Sequence, residues 1–341
     1  MSNSTPSSTA PYDLIGAGNP IMDLLARVPD EFLTQHVRGE KGGMVLVDAD
    51  EMHRLVSQLH ASPVRAPGGS AANTTISAAR LGLKTRYLGK IGSDETADTY
   101  HQNFLDHGVD GSRFKRAQLP NARCLSLITP DSQRTLRTCL GAAMTLSPDE
   151  VSTADFVGSR HAHIEGYLMF NPALAQAVVT SARAAGCTIS IDLSSFEVVN
   201  VARDWLMAQI DEGVDVIFAN EDEIHALYQT KTPAYDELAK RLASHGGLAA
   251  VKMGKDGAWI ARGAELHRIE PVKVAQAIDT TGAGDAWAAG FLYGYLRGWS
   301  LPAAGALGSV LGAECVQHIG PAIPESHWPA VRTRAAALAA T

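Results

Sequence analysis

A chain of 341 residues with 45% apolar and 19% charged residues can hold one large core with an appendage, and its composition excludes bulk disorder and a fibre. The net charge of −7 and the lack of any Lys/Arg run argue against a nucleic-acid surface, because phosphate binding needs a basic patch. Four widely spaced cysteines (Cys124, Cys139, Cys187, Cys315) show neither C-x-x-C nor Cys/His metal spacing, so they read as reduced core thiols of a cytoplasmic protein.

In chain order, residues 1–11 ("MSNSTPSSTAP") lack the basic-then-apolar order of a signal peptide and read as a disordered tail. No apolar run approaches the roughly 18 residues that a membrane span needs. Strand-like runs at 12–18, 86–92, 160–166, 187–193, 214–220 and 248–254 then alternate with helix-like stretches at 70–82, 94–107, 172–185, 201–211, 221–228 and 234–245. That alternation predicts an α/β fold with a central, mostly parallel sheet covered on both faces. Two segments break it, 19–66 and 112–140. The second reads as short strands, "SRFKRA", "RCLSLIT" and "RTLRTCL", with turns at Pro120 and "TPDSQ". The expected division is a main α/β unit (12–18, 67–111 and 141–330) with 19–66 and 112–140 forming a β-rich lid over one edge.

The stretch with most chemical content is "DTTGAGDAWAAGF" (279–291). Its Gly-Ala-Gly turn presents backbone N–H groups at the positive end of the following helix, which suits an anion. Asp285 sits in the first turn and is open to two readings: an ordinary helix cap, or a charged group with a task. The apolar continuation "AWAAGFLYGYL" buries the helix and favours the second. Upstream, "APGGSAANTTISAARLG" (66–82) places paired glycines before a helix start, where the backbone can approach a ligand and Asn73 can both donate and accept. An ordinary loop followed by an Asn inside a helix has the same pattern. "NEDE" (220–223) gathers carboxylates at a helix start, which is normal dipole compensation, and "VKMGKDGAWI" (251–260) reads strand, Gly turn, strand, as a plain β-turn would.

Other readings fail. "GAGNPI" lacks the third glycine of a dinucleotide fingerprint, and no G-x-x-x-x-G-K-[ST] loop occurs. His161 and His163, two apart on one strand, have no acidic or Cys partner nearby and read as structural.

Taken together, "DTTGAGD" and "APGGSAANTTISAARLG" resemble the two signatures of the ribokinase-like (PfkB) carbohydrate and nucleoside kinases, in the same order and far apart. The resemblance implies a three-layer α/β/α domain with a small β-sheet lid. It implies that Asp285 is the general base toward an acceptor hydroxyl and that the N–H groups of Gly282, Ala283 and Gly284 form the anion hole. Gly68, Gly69 and Asn73 then contact the acceptor, Gly254 and Gly257 with Asn220 contact ATP, and Glu223 acts on Mg²⁺ through water. "GAGNPIMDLLARV" (16–28), "DSQRTLRTCLGAA", "IEGYL" and "VQHIGPAI" are similar to the adenosine kinase-type branch. That similarity places Asn19 and Asp23 at the acceptor, with Asp23 on ribose hydroxyls, and Arg134 as a phosphate-facing lid residue. Asp279 is by the same resemblance a monovalent-cation (K⁺) ligand; an Asx-turn accounts for it equally well. "ISIDLSSFE" (189–197) departs from that branch by carrying Asp192.

The expected activity is ATP-dependent phosphorylation of the primary hydroxyl of a nucleoside, adenosine first and ribose or another furanose second. A non-catalytic sensor on the same fold is the alternative that Asp285 argues against. The expected partners are small molecules, with no nucleic acid and no membrane, and the chain is expected as a monomer or a homodimer joined through the lid.

Overall fold

The computed structural model describes residues 11–131 and 133–340; the tail expected at 1–11 lies, but for Pro11, outside the described residues. In chain order the strands among the described residues are β1 (Tyr12–Ala17), β2 (Ile21–Arg27), β3 (Met44–Leu46), β4 (Val64–Gly68), β5 (Thr85–Ile91), β6 (Val109–Arg116), β7 (Ala122–Ile128), β8 (Arg134–Cys139), β9 (Ser159–Glu165), β10 (Thr188–Asp192), β11 (Val216–Asn220), β12 (Leu248–Lys252), β13 (Ala258–Arg262) and β14 (Glu265–Ile269). They form a nine-stranded sheet, ordered β14-β13-β12-β11-β10-β9-β1-β5-β6, and a five-stranded one, ordered β3-β8-β7-β2-β4. In the large sheet every pairing from β6 to β12 is parallel, and β13 and β14 add antiparallel neighbours at one edge. Parallel strands covered on both faces read as short apolar runs, which is why "VIFAN" and "LAAVK" were visible in the sequence.

The helices are α1 (Asp30–His36), α2 (Ala49–Ser57), α3 (Ser70–Leu81), α4 (Glu95–Asp106), α5 (Thr153–Phe156), α6 (Pro172–Ala184), α7 (Phe196–Asp211), α8 (Glu221–Tyr228), α9 (Tyr235–Ala243), α10 (Ala283–Leu296), α11 (Leu301–Cys315) and α12 (Trp328–Leu338). Several start at side-chain caps: Asp94 accepts from Ala97 N–H, Asn171 from Leu174 N–H and Ser195 from Val198 N–H. The Ser195 cap starts α7 five residues before the position expected from the apolar pattern. One core, built on Ile15, Ile164, Ile189 and Ile217, packs the sheet against α6 to α9. The core on the other face, built on Leu14, Phe218 and Ile260, packs it against α10, α11 and α12. A third joins the small sheet to α3, α4 and β5 through Met22, Leu125, Tyr87, Tyr100 and Phe104.

Two expectations change. Residues 112–116, expected in the small sheet, belong to β6, which pairs in parallel with β5 along the edge of the large sheet. Their side chains alternate too little to show which sheet buries them, and Phe114 meets Tyr87 and Phe104 of the large-sheet side. The stretch 19–66, expected as β-rich, also contains α1 and α2; α2 holds Met52 and Leu55 inward and is started by Asp48, which accepts from Glu51 N–H. His161 and His163 are fully buried on β9, share the Ser190 hydroxyl and are pushed down by burial to about 3 and about 4, so they are neutral packing residues.

Helices α10 and α11 cross at glycine contacts. A Cβ on Gly290 would lie 2.7 Å from the Leu307 carbonyl oxygen, and one on Gly308 would lie 2.8 Å from the Trp287 ring. Because the first obstacle is backbone, Gly290→Ala is expected to cost about 1–3 kcal/mol of stability, read as a lower urea midpoint at unchanged slope. A midpoint equal to wild type would mean that the two helices separate freely.

Candidate active site

In a mostly parallel sheet a ligand crevice forms beyond the carboxyl ends of the strands, where the strand order reverses. Here the reversal lies at β1, flanked by β5 and β9. The ends of β9, β10, β11 and β12 carry Glu165, Asp192, Asn220 and Lys252, so four polar side chains converge on one edge. A single cavity of about 1400 Å³ runs along this edge and is lined by these residues and by Asn19, Asp23, Ser70, Asn73 and Asp285. That volume exceeds the roughly 300–1,000 Å³ of a one-ligand pocket, which suits two reactants side by side.

Asp285 lines this cavity from the first turn of α10. Ser70 Oγ donates to its Oδ1 at 2.7 Å and Asn73 Nδ2 donates to its Oδ2 at 2.9 Å, so the start of α3 holds the carboxylate across the chain. Burial, with the charge of Asp192, pushes Asp285 up to about 6, against those two hydrogen bonds and Lys252. The turn before it needs glycine: Gly282 has φ +74°, and a Cβ there would strike Pro321. The donors expected to face an anion were Gly282, Ala283 and Gly284. In the structure Ala283 N–H already bonds the Thr280 carbonyl at 3.2 Å, and the unbonded N–H groups in the turn, among the described residues, are those of Gly282, Gly284 and Asp285.

At one end of the cavity Asn19 Nδ2 donates to Glu165 at 3.1 Å, and Gly69, with φ +98°, leaves room for the Asn19 carbonyl. Gly68 lies where a Cβ would overlap the Asp23 carboxylate. Both glycines are therefore dictated by the pair they face. Asp23 has no hydrogen-bond donor among the described residues; burial, followed by the charge of Asp285 and against that of Arg134, pushes it up to about 7. The walls here are apolar: Ile21, Met44, Leu46, Leu136, Leu140 and Met144.

At the other end Asn220 and Glu223 form a closed capping box. Asn220 Oδ1 accepts from Glu223 N–H at 2.9 Å, and the Glu223 carboxylate accepts from Asn220 N–H at 2.8 Å and Nδ2 at 2.7 Å. Gly254 and Gly257 flank the single turn between β12 and β13, with φ +48° and +84°. Arg134 and Asp279 meet in an ion pair beside the Asp285 turn, where Asp279 also accepts from Gly320 N–H at 2.6 Å and Thr281 N–H at 3.0 Å. Asp279 thus forms an Asx-turn.

The pfkB family carbohydrate kinase profile matches residues 40–328. The chain belongs to the PfkB family. It is 34% identical to adenosine kinase from Sinorhizobium meliloti, whose crystal structure superposes with a TM-score of 0.84 over 95% of this chain and 99% of that one. It is 31% identical over 268 residues to 2-dehydro-3-deoxygluconokinase of Bacillus subtilis, covering 74% of this chain and 81% of the relative. It is 28% identical over 336 residues to adenosine kinase of Saccharomyces cerevisiae, covering 93% and 97% respectively. This PfkB kinase is a phosphotransferase of the ribokinase-like fold, and its family uses ATP, usually with Mg²⁺. Among the described residues no helix is long and apolar enough to cross a membrane.

Three side chains of this PfkB kinase's cavity lie within the quoted motifs but were assigned no role there: Lys252, Glu165 and Ser70. Lys252 Nζ donates to Asp192 Oδ2 at 2.8 Å and lies 3.2 Å from the point a Cβ on Gly284 would occupy. Burial alone would depress its pKa, but the charges of Asp192 and Glu223 outweigh it and hold the ammonium above its ordinary value. Glu165 accepts from Asn19 and from Ala71 N–H at 3.1 Å; burial nonetheless pushes it from 4.5 up to about 7. The folded protein therefore keeps this proton to higher pH than the unfolded chain does. Its contribution to stability is greatest below about 4.5 and falls as pH rises toward about 7. Glu165→Gln is expected to flatten the change in unfolding free energy between pH 5 and pH 7, read from urea titrations. An unchanged slope would assign the dependence to other groups.

Proposed function

We propose that this kinase transfers the γ-phosphoryl group of ATP to the primary hydroxyl of a ribonucleoside, adenosine first. The observation that carries the reading is Asp285, a carboxylate fixed at a helix N-terminus midway along one cavity, between an apolar end and a glycine-turn end. The apolar end suits a flat base, and Asp23, with its donor-free oxygens, suits a vicinal diol that donates two hydrogen bonds. The other end would take ATP along Asn220, Gly254 and Gly257.

Asp285 takes the proton of the acceptor hydroxyl, which makes the oxygen a nucleophile as it approaches phosphorus. The free N–H groups of Gly282, Gly284 and Asp285, with the Lys252 ammonium behind Gly284, hold the negative charge of the phosphoryl group in transfer. Asp192 keeps Lys252 aimed at that point. The carboxyl groups of Asp192, Glu223 and Asp285 outnumber the Lys252 ammonium along the cavity, which leaves it suited to a divalent cation; Glu223 and Asn220 would hold Mg²⁺ through water, since their own hydrogen bonds occupy their inner faces. Bound Mg²⁺ would neutralise nucleotide phosphate charge. Arg134, the first residue of β8, would exchange Asp279 for phosphate if the small sheet closed and excluded water.

A sugar acceptor is the second reading, favoured by the 31% identity to 2-dehydro-3-deoxygluconokinase of Bacillus subtilis. ADP release measured over a panel of nucleosides, furanoses and sugar acids separates the two, with adenosine expected to give the highest kcat/KM. Asp285→Asn is expected to lower kcat by about 10²–10⁴-fold and Lys252→Met by about 10²–10³-fold, with ATP binding retained. Turnover by Asp285→Asn equal to wild type would sink the proposed base. Asp23→Ala is expected to raise KM for the acceptor while leaving KM for ATP unchanged; equal loss of both would misplace the acceptor end. For wild type, kcat/KM is expected to fall as pH drops through about 6, where Asp285 becomes protonated.

A further inference from the structure

The stretch "VQHIGPAI" supports the Asp285 turn through Gly320 and Pro321, and another of its residues, His318, joins a separate cluster of side chains with metal-ligand chemistry. Glu314 lies in the last turn of α11, His318 follows four residues later, and His327 arrives from the turn that leads into α12. His327 Nδ1 stands 2.6 Å from Glu314 Oε1, His318 Nε2 stands 3.4 Å from the same oxygen, and the three ligand atoms all lie within 4.8 Å of one another. The two rings lie edge to face, with centroids 4.6 Å apart at 81°, and do not stack. Neither ring has another hydrogen-bond partner among the described residues. The Glu314 side chain is 14% exposed and that of His318 20%, while His327, at 44%, leaves one side open to water.

We propose that Glu314, His318 and His327 form a binding site for a borderline divalent ion of the Zn²⁺ type, separate from the nucleotide cavity. Two imidazoles and one carboxylate are the donor set such ions take with an open fourth position, and metal bonds of about 2.0–2.1 Å put tetrahedral donors roughly 3.3 Å apart. The His318–Glu314 separation already matches, and the His327 contact needs to open by less than one ångström. Mg²⁺ does not compete here, because it demands an octahedral oxygen shell and keeps its waters. The bound ion would clamp the start of α12 to the end of α11. The chain between them, 316–321, supplies the Val316 carbonyl to Ile278 and Asp279 N–H, the Gly320 N–H to Asp279, and Pro321 to the back of the Gly282 turn. Occupancy would therefore stiffen the wall behind the phosphoryl site.

The test uses the full chain, stripped with a chelator and free of nucleotide. Co²⁺ is titrated first, as a spectroscopic stand-in, and Zn²⁺ is then followed by calorimetry. One equivalent is expected to bind saturably, with visible d–d absorption that Zn²⁺ displaces and millimolar Mg²⁺ does not, and the melting temperature is expected to rise with Zn²⁺ concentration. His318→Gln and His327→Gln are each expected to weaken binding at least about tenfold, since even groups outside the ligand shell are worth that much, while keeping the wild-type circular dichroism spectrum. Glu314→Gln should do the same. No saturable Co²⁺ signal in the wild type, or equal binding by the His318→Gln/His327→Gln double variant, would show instead a hydrogen-bonded His–Glu–His staple without metal.

Discussion

The whole arrangement depends on holding a carboxylate, Asp285, inside the protein at the start of a helix. Desolvation raises its pKa, and three things oppose that rise: the hydroxyl of Ser70, the amide of Asn73 and the ammonium of Lys252. They come from two distant parts of the chain. Ser70 and Asn73 lie on the first turn of α3, whose entry is set by Gly69 at φ +98°, and Lys252 ends β12, where Asp192 of β10 holds it. The large sheet brings these ends to one edge, so its parallel order is a condition for the site as well as for the core. The buried apolar side chains of α10, including Trp287 and Phe291, place a low-dielectric wall behind the same helix end and so strengthen the charges there.

Much of this was legible in the sequence, and the reason differs from element to element. Parallel strands are uniformly apolar and short, and the helices between them have caps and a repeating apolar face, so local pattern was enough for β1, β5 and β9 to β12. The two signatures were legible because glycine is demanded at positions with no room for a Cβ: Gly68 against Asp23, Gly69 against Asn19, Gly282 against Pro321. Lys252 was hidden inside a strand that was read for its apolar residues, and its significance lies in contacts with Asp192 and Gly284, 60 and 32 positions away. Glu165 was hidden in the same way at the end of β9, its partners Asn19 and Ala71 being 146 and 94 positions away. Strand β6 was given to the wrong sheet because strand propensity carries no information about the neighbour that pairs with it.

The small sheet explains why substrate is harder to read than reaction. The end proposed for the phosphoryl group is built from backbone and charge, which any acceptor with a reactive hydroxyl could use. The end proposed for the acceptor is built from side chains on β2, β3, β8 and the loop after it, where Met44 and Leu46 line the cavity and are 55% and 58% exposed. Exposed apolar side chains at a cavity mouth find cover either on a flat ligand or when the sheet moves down onto it. Relatives that align with most of this chain but are named for different acceptors, an adenosine kinase and a 2-dehydro-3-deoxygluconokinase, fit this separation of roles.

Arg134 and Asp279 connect the two ends. The guanidinium sits at the start of β8 in the small sheet, and the carboxylate lies six residues before Asp285 in the large unit. Asp279 is held in place independently of Arg134, by Thr281 N–H and Gly320 N–H, so it can release the guanidinium without losing its position. Arg134 has no such second anchor among the described residues. On the proposed function, an anion arriving at the free N–H groups of the Asp285 turn would compete with Asp279 for the Arg134 guanidinium, which belongs to the small sheet. A phosphoryl oxygen that won the guanidinium would draw the small sheet down over the acceptor, and so would couple arrival of the nucleotide to exclusion of water from Asp285.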